Sequence, residues 1–351
     1  MAGKTIQVKK TTEHVSTWWD RFNVLVTAIQ GVADFGVSVL NGIVGDYLVA
    51  QQNDLAIRMQ FVKQNKLLPL TSESLRAAYP NLTPKICILV HGLSTDERIW
   101  NFRDGVNKTY GTLLQQDLGI TPFYVRFNSG LHISENGKKL AQLIADLIEA
   151  YPIPVEDIIF LAHSMGGLVT RSACYYGSRQ AARWVTKVRK LFFLGTPHRG
   201  APLEKVGNVF TNILKFIPRP YTHHVADIIN IRSSGIKDLR FGYLVDEDWT
   251  GYNPDSLLQN NQQPIPLLAG AAHYIVSGTL TEDPDHYFTL LFGDGMVRKS
   301  SVLGQARQKG FQVPFDPDNH KEFPKIRHIK LAHSPQVYEQ IKIWCQETAN
   351  D

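Results

Sequence analysis

Phe160-Leu-Ala-His-Ser-Met-Gly-Gly-Leu168 is the stretch on which the fold turns. An apolar run, Asp157 to Ala162, leads into it, and a glycine-interrupted helical pattern leaves it from Ser164. Ser164 therefore stands at a strand-to-helix turn, with Ala162 two positions before it and Gly166 two after. That is the G-x-S-x-G nucleophile turn with Ala in the first glycine position. The turn strains the backbone at the serine, and small residues at the flanking positions let neighbouring segments approach. It also sets the serine at a helix N-terminus, where backbone N–H groups can face a developing oxyanion. The string alone is weak. Its place between a strand and a helix, and the second glycine at Gly167, make it specific.

Working outward, short apolar runs recur as strands of a buried sheet: Ile86 to Val90, Pro122 to Phe127, Lys190 to Leu194 and His273 to Gly278. Between them Leu140, Leu143, Ile144, Leu147 and Ile148 carry helical spacing, and Ser334-Pro335 opens a last helix with Val337, Ile341 and Trp344. Alternating strands and helices predict an α/β protein whose mostly parallel sheet is covered on both faces. From Gly200 to Gly270 the alternation lapses, with apolar stretches at Val206 to Ile217 and Val225 to Ile231 and acids at Asp246 to Asp248. An interval of that length is too long for an ordinary connection and predicts a cap at residues 200–270 over the site. The organisation expected is a helical N-terminal extension over 1–84 and a catalytic domain over 85–351.

The 351 residues carry 43% hydrophobic and 20% charged side chains, which excludes a disordered chain, and a net charge of +5. No basic face with stacking aromatics argues for nucleic acid. Cys87, Cys174 and Cys345 are odd in number and widely spaced, so neither a disulfide framework nor a zinc pattern is expected, and no metal or cofactor. A reducing, cytoplasmic setting follows. The N-terminus does not read as an export signal, because Glu13, His14, Asp20 and Arg21 interrupt it. Val24 to Ala50 is the most apolar stretch, yet Gln30, Asp34, Asn41 and Asp46 exclude an ordinary spanning helix. Leu25, Ile29, Val32, Phe35, Val39 and Ile43 recur at helical spacing. Such a stripe either covers the core or lies peripherally on a membrane; core packing is the more frequent use.

A second element, His91-Gly92-Leu93, ends an earlier strand. Acyl transfer needs two N–H donors on its oxyanion, and the amides of Leu93 and Met165 are the candidates; the His91 side chain is read as loop packing.

Taken together, Val90-His-Gly-Leu93, Ala162-His-Ser-Met-Gly-Gly167, Phe193-Leu-Gly-Thr-Pro-His-Arg-Gly200, Gly293-Asp-Gly-Met-Val297 and His328 through Val337 resemble, in order, bacterial lipases and esterases of the α/β-hydrolase superfamily. Relatives of the lipase domain in GPI inositol-deacylases are among them. The likeness spans 85 to 347 and leaves the first 80 residues without a role. It implies the α/β-hydrolase fold and a triad in the order Ser, acid, His. Asp283, Asp285 and Asp294 follow the strand ending near Gly278. Asp294 matches the family's D-G-x-V acid, whereas Asp283 and Asp285 suit a loop cap or a cation. Three histidines, His320, His328 and His333, follow Asp294. His320 sits in a turn-like stretch, and His333 abuts a helix N-terminus whose dipole disfavours imidazolium. His328 matches the family's catalytic position. Secreted lipases of this type often place a calcium-ligand Asp two residues after that histidine, where this chain has Lys330; neither calcium nor a disulfide is carried over. The implied activity is ester hydrolysis by Ser164, Asp294 and His328 on a small-molecule or lipid ester. An acyltransferase with the same triad and an inactive binding module are the alternatives.

Overall fold

A computed structural model describes residues 35–102, 108–201, 233–251, 261–280, 297, 299–305 and 312–347. Eight strands form one sheet in the order β2-β1-β4-β3-β5-β6-β7-β8. The strands are β1 (Gln60–Lys63), β2 (Lys66–Leu67), β3 (Lys85–Val90), β4 (Thr121–Arg126), β5 (Asp157–His163), β6 (Val188–Leu194), β7 (Ala272–Gly278) and β8 (His320–Phe323). β1 pairs antiparallel with β2 and β4, and every other pairing is parallel. The expected strands are all present within a residue or two of their ends.

Parallel strands buried on both faces need apolar residues at successive positions, and β3 supplies them. Ile86, Ile88 and Val90 enter one core, while Cys87 and Leu89 enter the other. The first core is covered by α1 (Phe35–Ala50), α4 (Ile133–Ala150) and α5 (Met165–Arg179), with α2 (Ser72–Ala78) beside them. The second is covered by α3 (Tyr110–Leu118) and the C-terminal α8 (Pro335–Gln346), whose Val337, Ile341 and Trp344 are buried as their spacing predicts. Two short helices, α6 (Ser234–Phe241) and α7 (Lys299–Val302), lie in the connections around β7.

The expected division at residue 84 is corrected in two respects. Residues 60–67 are strands rather than helix, and β1 joins β4 through Phe61 and Val125, so the sheet runs across the boundary. Moreover, Val39, Leu40, Ile43, Val44 and Leu48 of α1 are buried in the same core as the parallel strands. Each such side chain contributes about 1.5–3 kcal/mol on burial. Two of the polar residues that interrupt this segment, Asn41 and Asp46, have partners in the fold, while Gln30 and Asp34 lie outside the described residues. Asn41 donates to the Leu55 carbonyl (2.7 Å) and accepts from the Ile57 N–H (2.9 Å). Asp46 accepts from the Ser234 N–H and hydroxyl, both at 2.8 Å. Leu25, Ile29 and Val32 lie outside the described residues, as do the cap stretches 206–217 and 225–231. Among the described residues, no helix is long and apolar enough to cross a membrane.

Of the interval 200–270 in which a cap is expected, the described part is α6 with its flanking residues and the segments that follow it. Its Asp238 is buried and accepts from the Ile133 N–H at the start of α4 (2.8 Å) and pairs with His132 (3.0 Å). Trp249 stacks on His132 with ring centroids 3.7 Å apart.

Candidate active site

β5 delivers Ser164 to the carboxyl edge of the sheet, where parallel α/β sheets open their crevices. Ser164 has φ 54° and ψ −125°, a conformation strained for a residue with a side chain. Its N–H bonds the Leu194 carbonyl at 2.9 Å, which anchors the turn to the end of β6. Gly166 is required by close approach. A Cβ there would lie 2.3 Å from the His91 carbonyl oxygen and 2.5 Å from that of Val90. Ala162 tolerates its methyl group because it lies within the sheet, flanked by Val90 and Phe193 in register.

The serine occupies the cap position of α5, but its hydroxyl makes no capping bond. Helix geometry leaves the first-turn N–H groups, including that of Met165, without intrahelical acceptors. Opposite them runs the turn after β3. A Cβ on Gly92 would come within 3.0 Å of the Ser164 Cβ, so that turn presses directly on Ser164. The buried His91 ring holds it. Its Nδ1 donates to the Gly92 carbonyl (2.8 Å), its Nε2 accepts from the Phe127 N–H (3.3 Å), and it stacks on Phe127 at 4.2 Å. Burial lowers the His91 pKa, which keeps the ring neutral and suits that donor–acceptor pattern. Ser94, at φ 55°, continues the turn and donates its N–H to Ser129 Oγ at 2.9 Å.

His328 follows β8 and opens a 3₁₀ turn, His328–Ala332. It is 2% exposed, and its ring lies against Gly195: a Cβ at that glycine (φ +64°) would be 3.0 Å from the ring Cε1 and Nδ1. Two contacts hold its loop. His163 Nε2 donates to the His328 carbonyl at 3.0 Å, and Tyr110 Oη donates to the Leu331 carbonyl at 2.8 Å. His163 stands beside Ser164 in sequence, but only the fold reveals that it also touches the His328 loop.

A cavity of about 50 Å³ joins these elements, lined by Gly92, Leu93, His163, Ser164, Leu239 and His328 among others. Three of the expected site residues, Leu93, Ser164 and His328, thus meet in one place, and Met165 is the first residue of the helix beside them. Leu239 brings α6 to the same cavity, with Ala201, Val297 and Ile329 adding apolar wall. The two competing histidines face elsewhere. His333 Nδ1 donates to the Ile99 carbonyl (3.1 Å), and His320, rather than sitting in a turn, begins β8 and bonds Ser277 Oγ at 2.8 Å. Asp283, Asp285 and Asp294 lie outside the described residues. Among the described residues, no group of three metal-ligating side chains is placed to hold an ion.

Residues 125–263 match the family model described as PGAP1-like alpha/beta domain. No curated protein sequence matches the chain. The propeptide form of Bacillus licheniformis lipase BlEst2 superposes with a TM-score of 0.50 and 16% identity, covering 76% of this chain and 52% of that one. Its mature form gives a TM-score of 0.46 at 16% identity, over 75% of this chain and 92% of that one. The Pyrococcus furiosus esterase Pf2001 gives 0.44 at 11% identity, over 76% and 82%. At such identities the likeness concerns the fold. With the eight-stranded, mostly parallel sheet, that fold is the α/β-hydrolase fold.

Proposed function

We propose that this α/β-hydrolase-fold chain is a serine carboxyl-ester hydrolase. One observation carries the reading: Ser164 holds a strained positive-φ turn at the start of α5 and shares its cavity with His328 and the Leu93 turn. The similar Bacillus structure is named a lipase, which agrees with it.

In this reading Ser164 Oγ attacks the ester carbonyl while the His328 imidazole takes its proton. The Leu93 and Met165 amides hold the tetrahedral oxyanion. Collapse breaks the carbon–oxygen bond to the alcohol, which leaves with the proton returned by His328, and the acyl group stays on Ser164. Water then attacks with His328 as base, releasing the acid and restoring the serine. Asp294 is assigned the role of fixing the histidine tautomer and stabilising the imidazolium. The apolar side chains of Leu93, Ala201, Leu239, Val297 and Ile329 suit an acyl or lipid-like ester over a charged one. An acyltransferase would differ only in the nucleophile that clears the acyl-enzyme, and product analysis with added alcohol separates the two. The three free cysteines favour a reducing, cytoplasmic setting, with peripheral membrane contact as the alternative.

Incubation with a fluorophosphonate probe followed by mass spectrometry of the Ser164 peptide tests the assignment. A phosphonyl adduct on Ser164 in the wild type, absent from Ser164→Ala, is the expected result. A folded wild-type protein that stays unlabelled while hydrolysing no ester would overturn it.

A further inference from the structure

Arg171, Cys174, Tyr175 and Ser178 stand three and four residues apart on α5 and so share one face of the helix. With Leu191 of β6, His273 of β7 and the segment 266–269 they line a cavity of about 380 Å³, a size at which small-ligand sites occur (roughly 300–1,000 Å³). Val185, Leu191, Leu267 and Leu268 give it an apolar wall, and Pro266 and Ala269 are exposed at its rim. It shares no lining residue with the Ser164 cavity. Arg171 lies seven residues, roughly 10 Å along the helix, beyond Ser164.

Arg171 is the only arginine, lysine, aspartate or glutamate in that lining, and it is 6% exposed. A buried charge is stable only when compensated. Burial lowers its pKa to about 10, which still leaves it protonated at neutral pH. Among the described residues it has no carboxylate partner. Its Nη2 donates to the Ile265 carbonyl at 2.7 Å, its Nη1 faces His198 Nδ1 at a long 3.5 Å, and its Nε is buried without a hydrogen-bond partner. Asp248 influences it electrostatically, but that carboxylate is taken by the N–H groups of Leu244, Val245 and Gln263. Two titratable neighbours in the lining bring no countercharge. Burial pushes the Cys174 thiol up to about 12, and burial followed by the Arg171 charge lowers His273 to about 4, so both are neutral near pH 7.

We propose that this cavity binds an aliphatic monocarboxylate, a fatty acid, with its carboxylate on Arg171 and its chain against Leu191, Leu267 and Leu268. A guanidinium fork fits both oxygens of a carboxylate, and the Nε of Arg171 is the donor left without a partner. One cation matches one negative charge. A phosphate monoester would bring about −1.5 to −2 and leave part of it unmatched in an apolar space. The hydroxyls of a sugar or the amides of a peptide would lose water against this wall without gaining partners. An alkyl chain loses nothing there.

The test is calorimetric titration of the full chain with decanoate below its micelle concentration. Acetate supplies the charge without the chain, and 1-decanol the chain without the charge. Decanoate should bind at least tenfold more tightly than either. Arg171→Met should erase its advantage over decanol, and Leu268→Glu, which sets a carboxylate into the wall, should weaken decanoate at least tenfold. A diazirine-bearing decanoate photolysed on the wild-type chain locates the ligand without any substitution, and decides alone should both variants fail to fold. Adducts on residues 174–191 or 265–269 are expected. Acetate or decanol binding as tightly as decanoate, adducts confined to Leu93, Leu239 and Ile329 of the Ser164 cavity, or no binding at millimolar decanoate overturns the proposal. Decanoate is not an ester, so these readouts stand whether or not the Ser164 assignment does.

Discussion

Four residues at and near the turn lend themselves to single substitutions. Ser164→Ala removes one oxygen and keeps the helix start, so the chain should fold normally and lose ester turnover by several powers of ten. Turnover of p-nitrophenyl esters measures this. His328→Ala should abolish both turnover and fluorophosphonate labelling, while His333→Ala keeps substantial activity, because His333 bonds the Ile99 carbonyl outside the cavity. The reverse pattern in two variants shown by circular dichroism to be folded would move the base to His333. Gly166→Ala tests the close approach. Its methyl group would press on the carbonyls of His91 and Val90, which are backbone and cannot swing away. A loss of about 1–3 kcal/mol in urea unfolding is expected, together with slower hydrolysis as the Leu93 turn is displaced. Unchanged stability would mean the turn relaxes freely.

At the scale of elements, α6 is latched to α4 by the pair of Asp238 and His132. Burial by itself would lower the His132 pKa, but the hydrogen bond and charge of Asp238 outweigh it, so the pKa stands above the ordinary 6.5. A raised folded-state value means that the pair's contribution is complete below the unfolded pKa and fades as pH rises through the folded one. Asp238→Asn should therefore destabilise the protein more at pH 6 than at pH 8, within the roughly 1.5–3 kcal/mol of a hydrogen bond to a charged group. Melting curves of both proteins at the two pH values give the difference; an equal penalty at both would show that the pair is not ionised in the fold. Since Leu239 lines the Ser164 cavity, the same latch positions the apolar wall of the site.

For the molecule as a whole, the N-terminal segment is structural in its described part. Deleting residues 1–80 would remove α1, β1 and β2, strip Phe61 and Leu48 from the core and expose the edge of β4. The truncated chain should aggregate or melt well below the full protein, as sedimentation and thermal unfolding would report. A truncated enzyme that stays folded, hydrolyses soluble esters normally and loses only liposome binding would instead make the segment a lipid-docking device.

The strand-to-helix turn at Ser164, the strand positions, the two-sided sheet and the C-terminal helix were legible in the sequence, because each is written in local terms: apolar runs, helical spacing, and small residues around one serine. The preference for His328 over His333 rests on the helix dipole and the family pattern; the fold adds that His328 lines the Ser164 cavity while His333 bonds the Ile99 carbonyl. What remained hidden depends on contacts between distant positions. The short strands 60–63 and 66–67 carry too few residues for a periodic signal, and they exist because β4 offers an edge to pair with. Asn41 and Asp46 looked like interruptions of an apolar segment until their partners at Ile57 and Ser234 were brought to them. His163 touching the His328 loop, and Arg171 and Leu268 lining one cavity, join residues far apart in the chain. Local periodicity determines which elements form; burial of their faces against one another alone decides which side chains meet.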